Sequence, residues 1–247
     1  MEEMKFDGER VVINDTTPSS LIQEHLGRYL FAKPFVKNKT VLDIACGTGY
    51  GSFELAKSGA KKVIGGDISK KAIDYASQKY KRDNLLFRKL NGQSIDLSES
   101  SVDVVISFET IEHIPNYRKF LSEVGRVLKG DGLFICSSPN KKITSPYTKK
   151  PLNSYHIKEF KINELSRILD REGFENIETF GQSFVNNNWK FKLKNLVRSY
   201  AGFTRGIYRK FLKSGGSSES KGYLNKILKL RDGKLDPTYF ILIANKK

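Results

Sequence analysis

A doubly wound α/β fold is the architecture that this chain of 247 residues predicts. Between Thr40 and Ser138, short apolar runs alternate with segments of helical spacing, and strands that alternate with helices pack as parallel βαβ units with right-handed crossovers. The first such run, TVLDIAC, breaks at closely spaced glycines and leads into YGSFELAKSGA, whose apolar positions recur at helical spacing. Hydrophobic residues make up 38% of the chain and aromatics 11%, enough for a packed core, which excludes wholesale disorder.

The elements follow in order. TTPSSLIQEHLGRYLFAKPFV reads as a helix capped by Ser19 or Ser20, the main part of an N-terminal lid over residues 1–39. The core, residues 40–183, continues with KKVIGGD as a second strand and SKKAIDYASQKYK as a helix with Ser69 as N-cap. NLLFRKL, VDVVISF and GLFICSS read as the third, fourth and fifth strands. Between the last two, NYRKFLSEVGRVLKG is amphipathic, with Gly130 placed to stop it as a C-cap. A polar, proline-bearing loop, SPNKKITSPYTKKPLNSYHIKEF, precedes the helix KINELSRILDREGF and a sixth strand, ENIETFGQ. TYFILIAN, within residues 237–247, returns to the core as the seventh.

Charge is distributed unevenly. The net charge is +16, and residues 184–236, which read as an insertion, hold 13 Lys and Arg against three acids. There WKFKLKNLVRSYAGFTRGIYRKFL sets Trp189, Leu193, Leu196, Tyr200, Phe203, Ile207 and Phe211 at helical spacing among basic residues. A basic amphipathic helix suits an anionic membrane surface or a lipid-linked anionic substrate. It suits nucleic-acid phosphates as well, or a helical cap or subunit interface. Cys46 and Cys136 both sit inside apolar runs and offer no disulfide framework or zinc spacing, so a reducing cytoplasm is expected. The start is polar and acidic, and no apolar run approaches the ~18 residues of a membrane span, which leaves peripheral membrane contact open.

The strongest motif is VLDIACGTGYG. Gly47, Gly49 and Gly51 let backbone N–H groups approach a ligand at a helix N-terminus, and Asp67 at the tip of the second strand is placed to accept hydrogen bonds from a ribose diol. A dinucleotide fingerprint would have a third glycine where Ser52 stands, and Asp43 would repel a pyrophosphate. A nucleoside carrying an ammonium group and no phosphate fits better, and S-adenosylmethionine is such a molecule.

In these residues the chain resembles the class I S-adenosylmethionine-dependent methyltransferases, whose first motif is matched by Asp43 with Gly47-Thr48-Gly49-Tyr50-Gly51 and whose second by Gly66-Asp67-Ile68. The resemblance implies a seven-stranded, mostly parallel sheet with an antiparallel last strand. It also implies cofactor contacts at Asp43, Ala45, Gly47, Gly49, Asp67, Ile68, Asn91, Gly92, Phe108 and Glu109, with Asn91 standing where the family often has Asp. In the N-terminal helix, His25, Arg28 and Tyr29 lie on or beside one face, and Arg28 or Tyr29 is placed to reach the cofactor's carboxylate.

The fourth strand ends in FETIEH, at the end of the sheet where such folds bind ligands. Methyl transfer to a hydroxyl needs orientation and a base, and His113 is of the right type. Glu112 joins it as a candidate catalytic residue, and so does His156 from the loop after the fifth strand. E-x-x-E-H followed by H-x-x-E-F resembles bacterial methyltransferases of polysaccharides and sugars. A related E-x-x-E-H occurs in ubiquinone-biosynthesis O-methyltransferases and in small-RNA 2′-O-methyltransferases. The last resemblance implies a divalent metal on Glu109, Glu112, His113 and His156. The expected function is methylation of a sugar or glycan hydroxyl, with an RNA 2′-hydroxyl and a quinone precursor as the other acceptors. A non-catalytic membrane or nucleic-acid module on the same scaffold is the alternative outside enzymes.

Overall fold

The computed structural model describes residues 19–184, 227–230 and 236–247. The predicted basic helix and nearly all of the insertion lie outside the described residues, as do residues 1–18 of the lid. The chain enters through α1 (Ser19–Ala32), which contains both serines proposed as its cap, and a 3-10 turn at Lys33–Phe35. It continues through β1 (Thr40–Ile44), α2 (Tyr50–Lys57), β2 (Lys62–Asp67), α3 (Lys70–Lys79), β3 (Leu85–Lys89) and β4 (Val102–Phe108). A 3-10 turn at Ile111–His113 leads to α4 (Tyr117–Val127), β5 (Leu128–Pro139) and the single turn α5 (Lys141–Thr144). The last elements are α6 (Ile162–Arg171), β6 (Phe174–Phe184), β7 (Leu228–Lys229) and β8 (Pro237–Lys246).

The eight strands form one sheet in the order β3-β2-β1-β4-β5-β8-β6-β7. β1 to β5 pair in parallel, and β8 runs antiparallel to both β5 and β6, as expected for the last strand. The eighth strand is β7, whose two residues pair with Phe180 and Gly181 of β6 and are too few to show a period in the sequence. Side chains alternate across the sheet. Leu42, Val105 and Phe134 join α4 and α6 in one core layer, while Val41, Val104 and Ile135 join α1 and α2 in the other. Two covered faces make the sheet doubly wound.

Local chemistry sets most boundaries. Ser69 caps α3 by accepting from the Ala72 N–H at 3.3 Å, and Asn116 caps α4 by accepting from the Lys119 N–H at 3.1 Å. Gly130 does not cap α4. The helix passes directly into β5 at Leu128, which pairs with Val102, and Gly130 lies inside that strand. Burial of Val127 and Leu128 in the core overrides the stop signal that a glycine offers. All the parallel strands point their C-terminal ends to one edge, so the loops after β1, β2 and β4 meet there.

Candidate active site

The loop from β1 to α2 begins with Ala45 at φ 62° and Gly47 at φ 55°, and Gly49 at φ 83° is the N-cap of α2. These left-handed turns fold the loop tightly beneath the helix N-terminus. Asp67, at the end of β2, ties it down: one carboxylate oxygen accepts the Gly47 N–H at 2.9 Å and the other the Ser69 N–H at 2.8 Å. Glu109 repeats the device after β4. It has φ 51°, its N–H donates to Ser137 Oγ at 3.1 Å, and its carboxylate accepts from that hydroxyl at 2.7 Å. Non-glycine residues held at positive φ store strain, and Ala45 and Glu109 both line the same cleft.

That cleft has a volume of about 330 Å³. It is lined by Ala45, Gly47 and Phe108, by Asp67 and Ile68 at the end of β2, by Asn91 and Gly92 after β3, and by Glu109, Thr110 and His113 after β4. His25 and Tyr29 of α1 join the lining. His25 donates or accepts through Nδ1 with the Tyr50 hydroxyl at 3.1 Å; burial first, then the nearby Arg28 charge, lowers its pKa to about 3. The ring is therefore neutral at physiological pH.

His113 lines the cleft, whereas Glu112 and His156 do not; the three bring ligand atoms within 4.8 Å of one another. Glu112 is 1% exposed; Ser138 Oγ donates to its Oε2 at 3.0 Å, and Oε1 has no hydrogen-bond partner among the described residues. Burial, and then the Glu109 carboxylate, holds the Glu112 pKa well above the ordinary carboxylate range. His113 donates from Nδ1 to the Tyr155 carbonyl at 3.0 Å, and His156 places Nδ1 2.8 Å from Glu159 Oε1. The two rings meet edge to face, 4.9 Å between centroids. With Nδ1 turned to an oxygen acceptor in each, Nε2 is the basic nitrogen of both neutral imidazoles. Asn153 Nδ2, a donor, lies 2.9 Å from His156 Nε2 and agrees with that tautomer.

Comparison with known proteins agrees with this geometry. The family described as a methyltransferase domain matches residues 35–198. The chain belongs to the S-adenosylmethionine-dependent methyltransferases. A probable S-adenosylmethionine-dependent methyltransferase of Mycolicibacterium smegmatis is 37% identical over 72% of this chain and 68% of its own length. A ubiquinone biosynthesis O-methyltransferase of Pelagibacter ubique is 28% identical over 63% of this chain and 70% of its own. The solved structure of an S-adenosylmethionine-dependent methyltransferase from Thermotoga maritima shares the fold, with a TM-score of 0.64 at 16% identity over 92% of this chain and 93% of that one. The matched segment spans about two thirds of the mycobacterial relatives' length.

Eight of the ten methyltransferase cofactor residues expected from the sequence line the cleft; Asp43 and Gly49 do not. Asp43 is fully buried behind the glycine loop, where Ser52 Oγ donates to it at 2.6 Å and the Tyr29 hydroxyl at 3.3 Å. Burial raises its pKa to about 7, against the hydrogen bonds from Ser52 and Tyr29. Gly49 serves packing, since a Cβ there would lie 2.6 Å from the Ala76 Cβ and 2.7 Å from the Phe87 ring. Tyr29 lines the cleft while its hydroxyl donates to Asp43. Of the four metal ligands implied by the small-RNA enzymes, Glu109 stands apart, its carboxylate held by Ser137 and 3.8 Å from Arg28. Glu159, the acid of H-x-x-E-F, was given no role of its own from the sequence; it is 2% exposed and accepts from Thr144 Oγ1 at 2.5 Å. Burial raises the Glu159 pKa, but hydrogen bonds from His156, Thr144 and Ser145 outweigh it and leave the group an anion beside the ring. Its signal was present three residues after His156.

Proposed function

We propose that this methyltransferase transfers the methyl group to a hydroxyl of a sugar or glycan, with the His113 and His156 pair receiving the hydroxyl proton. The observation that carries the reading is the convergence of Glu112 and His156 on His113, the one of the three that lines the cofactor cleft. S-adenosylmethionine supplies a methyl group on positive sulfur, so the protein's share is orientation and proton removal. Asp67 accepts from the ribose hydroxyls while holding the glycine loop, and Ile68 covers the adenine side. Arg28, beside the cleft residue Glu109, is assigned to the cofactor's carboxylate: it is 1% exposed, its guanidinium is stacked 4.6 Å over the Tyr239 ring and 3.8 Å from the Glu109 carboxylate, and none of its nitrogens has a hydrogen-bond partner among the described residues. A buried guanidinium without hydrogen bonds is costly, and an anionic ligand removes that cost.

At the acceptor end, Glu109, Thr110 and His113 offer hydrogen bonds to a polyol, which supports a sugar over a flat aromatic acceptor. Glu159 fixes His156 as the Nδ1–H tautomer and stabilises the imidazolium formed when Nε2 takes the proton. Glu112, His113 and His156 would also suit a divalent cation, since Nδ1 of each ring is held by an oxygen and Glu112 keeps an unpaired oxygen among the described residues, with the Asn153 amide having to yield His156 Nε2 to the cation. Such a cation would lower the pKa of a bound hydroxyl. Thorough chelation leaves the rate unchanged if the histidines act alone and abolishes it if a cation is required.

The second reading is a phenolic quinone precursor, favoured by the likeness to ubiquinone biosynthesis O-methyltransferases. A radiolabelled-methyl transfer screen over nucleotide sugars, lipid-linked glycans, quinone precursors and RNA ends separates the classes. Label in the sugars or glycans is expected; label confined to catechols or RNA overturns the proposal.

A further inference from the structure

The loop that carries His156 has an outer face that methyl transfer does not use. Residues 141–158 contain five lysines, Lys141, Lys142, Lys149, Lys150 and Lys158, with no arginine and no acid. Along the same stretch Tyr147 is 63% exposed, Leu152 38%, Tyr155 49% and Ile157 52%, four of the seven large hydrophobic side chains left exposed among the described residues. Exposed apolar groups gathered on one segment and rimmed by one sign of charge mark a contact surface.

The backbone beneath them is fixed. Ser145 Oγ accepts the Leu152 N–H at 2.9 Å, and the Glu112 carbonyl accepts the N–H groups of Ile157 at 2.8 Å and Lys158 at 3.1 Å. Asn140 pairs with Phe160 across the base of the loop. The apolar side chains are thus presented by a segment anchored to the Glu112–His113 turn. Lys142 and Lys158 are paired with Asp236 and Glu164, whereas Lys149 and Lys150 are exposed and without a carboxylate partner among the described residues.

We propose that this loop docks the enzyme on an anionic bilayer surface, with Tyr147, Leu152, Tyr155 and Ile157 entering the headgroup region and Lys149 and Lys150 meeting lipid phosphates. Tyrosine suits the boundary between headgroups and acyl chains, aliphatic side chains gain by leaving water there, and lysines beside a surface are drawn to anionic lipid. A nucleic-acid partner is less well served, because Leu152 and Ile157 cannot stack on bases and the loop has no arginine. The surface stands on the loop alone. Its use to admit a lipid-linked acceptor rests on the hydroxyl methylation proposed above, because the same loop supplies the carbonyl that holds His113.

The test is sedimentation of the full chain with phosphatidylcholine vesicles, with and without phosphatidylglycerol. Binding is expected only with phosphatidylglycerol. Replacing Lys149 and Lys150 together by Ala should weaken it ~30-fold, from about 1 kcal/mol per lysine at such a surface. Replacing Tyr147 and Leu152 by Ser should weaken binding in high salt as well as low, with S-adenosylhomocysteine affinity unchanged in both variants. The lysine pair lies outside the packed core, so its exchange tests the contact without disturbing the fold. Undiminished vesicle binding by both variants overturns the proposal, as does competition by RNA oligonucleotides that depends on the same residues. Vesicle binding requires no acceptor, so failure here and failure of the glycan assignment are read separately.

Discussion

Gly51 permits a test in which two physical effects have opposite signs. It lies in the first turn of α2, away from the left-handed region, where alanine ordinarily gains about 0.5–1 kcal/mol over glycine. A Cβ on Gly51 would, however, lie 1.9 Å from Tyr29 Cζ and 2.2 and 2.3 Å from two neighbouring ring carbons. Carbon atoms pack at ~3.5–4.0 Å, so the ring must retreat by more than an ångström. Tyr29 is 5% exposed and makes edge-on contacts with Tyr50 and Phe108 at 5.7 and 5.0 Å between centroids. It also donates to Asp43 at 3.3 Å. Overpacking costs about 1–3 kcal/mol, and a strained aromatic pair or hydrogen bond adds roughly 1 kcal/mol more. The Gly51→Ala variant should therefore lose about 2–3 kcal/mol and melt about 4–12 °C lower. In a Tyr29→Ala background the same substitution meets no ring and should be neutral or stabilising, a coupling of about 2–4 kcal/mol in a double-mutant cycle. Urea denaturation of the four proteins, with calorimetry of S-adenosylhomocysteine binding, measures both effects. Stabilisation by Gly51→Ala in the native background would refute the close approach of Tyr29.

Asp67→Ala removes an acceptor for two backbone N–H groups and for the ribose, and should weaken S-adenosylhomocysteine binding roughly 10- to 100-fold by calorimetry. Glu159→Gln keeps an acceptor near His156 but removes the anion. Methyl transfer should fall by ~10-fold or more and the acidic limb of its pH profile should move down, while cofactor affinity stays unchanged. His25 gives the folded protein a pH dependence. Its pKa is about 3 when folded and 6.5 when unfolded, so the unfolded chain takes the proton first. The stability it allows is complete above pH 6.5 and declines as pH falls toward 3, with a slope approaching about 1.4 kcal/mol per unit. Urea midpoints of the native chain and His25→Gln between pH 7 and 5 should converge as pH falls, and parallel curves would contradict the assignment. His113→Ala should cut turnover by ~100-fold or more with little change in S-adenosylhomocysteine affinity, measured by single-turnover transfer and calorimetry.

Much of the fold was legible because the signals are local. The period-2 run VDVVISF became β4 without a change of boundary, and Ser69 and the glycines after Ile44 marked turns by their own side-chain and backbone chemistry. The Gly130 stop failed because a propensity worth about 1 kcal/mol competes with burial of Val127 and Leu128. β7 was invisible because its only reason to be extended is the edge of β6.

By itself the sequence determined the strand and helix alternation, the glycine turn, the acid at the tip of β2 and the position of E-x-x-E-H at the end of β4. Each is a matter of period, turn chemistry or spacing within a few residues. Tertiary structure alone decided what faces the cleft. Asp43 turned inward to Ser52 and Tyr29, and Gly51 became obligatory through a ring 22 positions away. Arg28 was buried over Tyr239 from the far end of the chain, and His156 came to His113 with Glu159 behind it. These relations join segments distant in the chain, and their energies depend on burial and close approach, which no local pattern encodes.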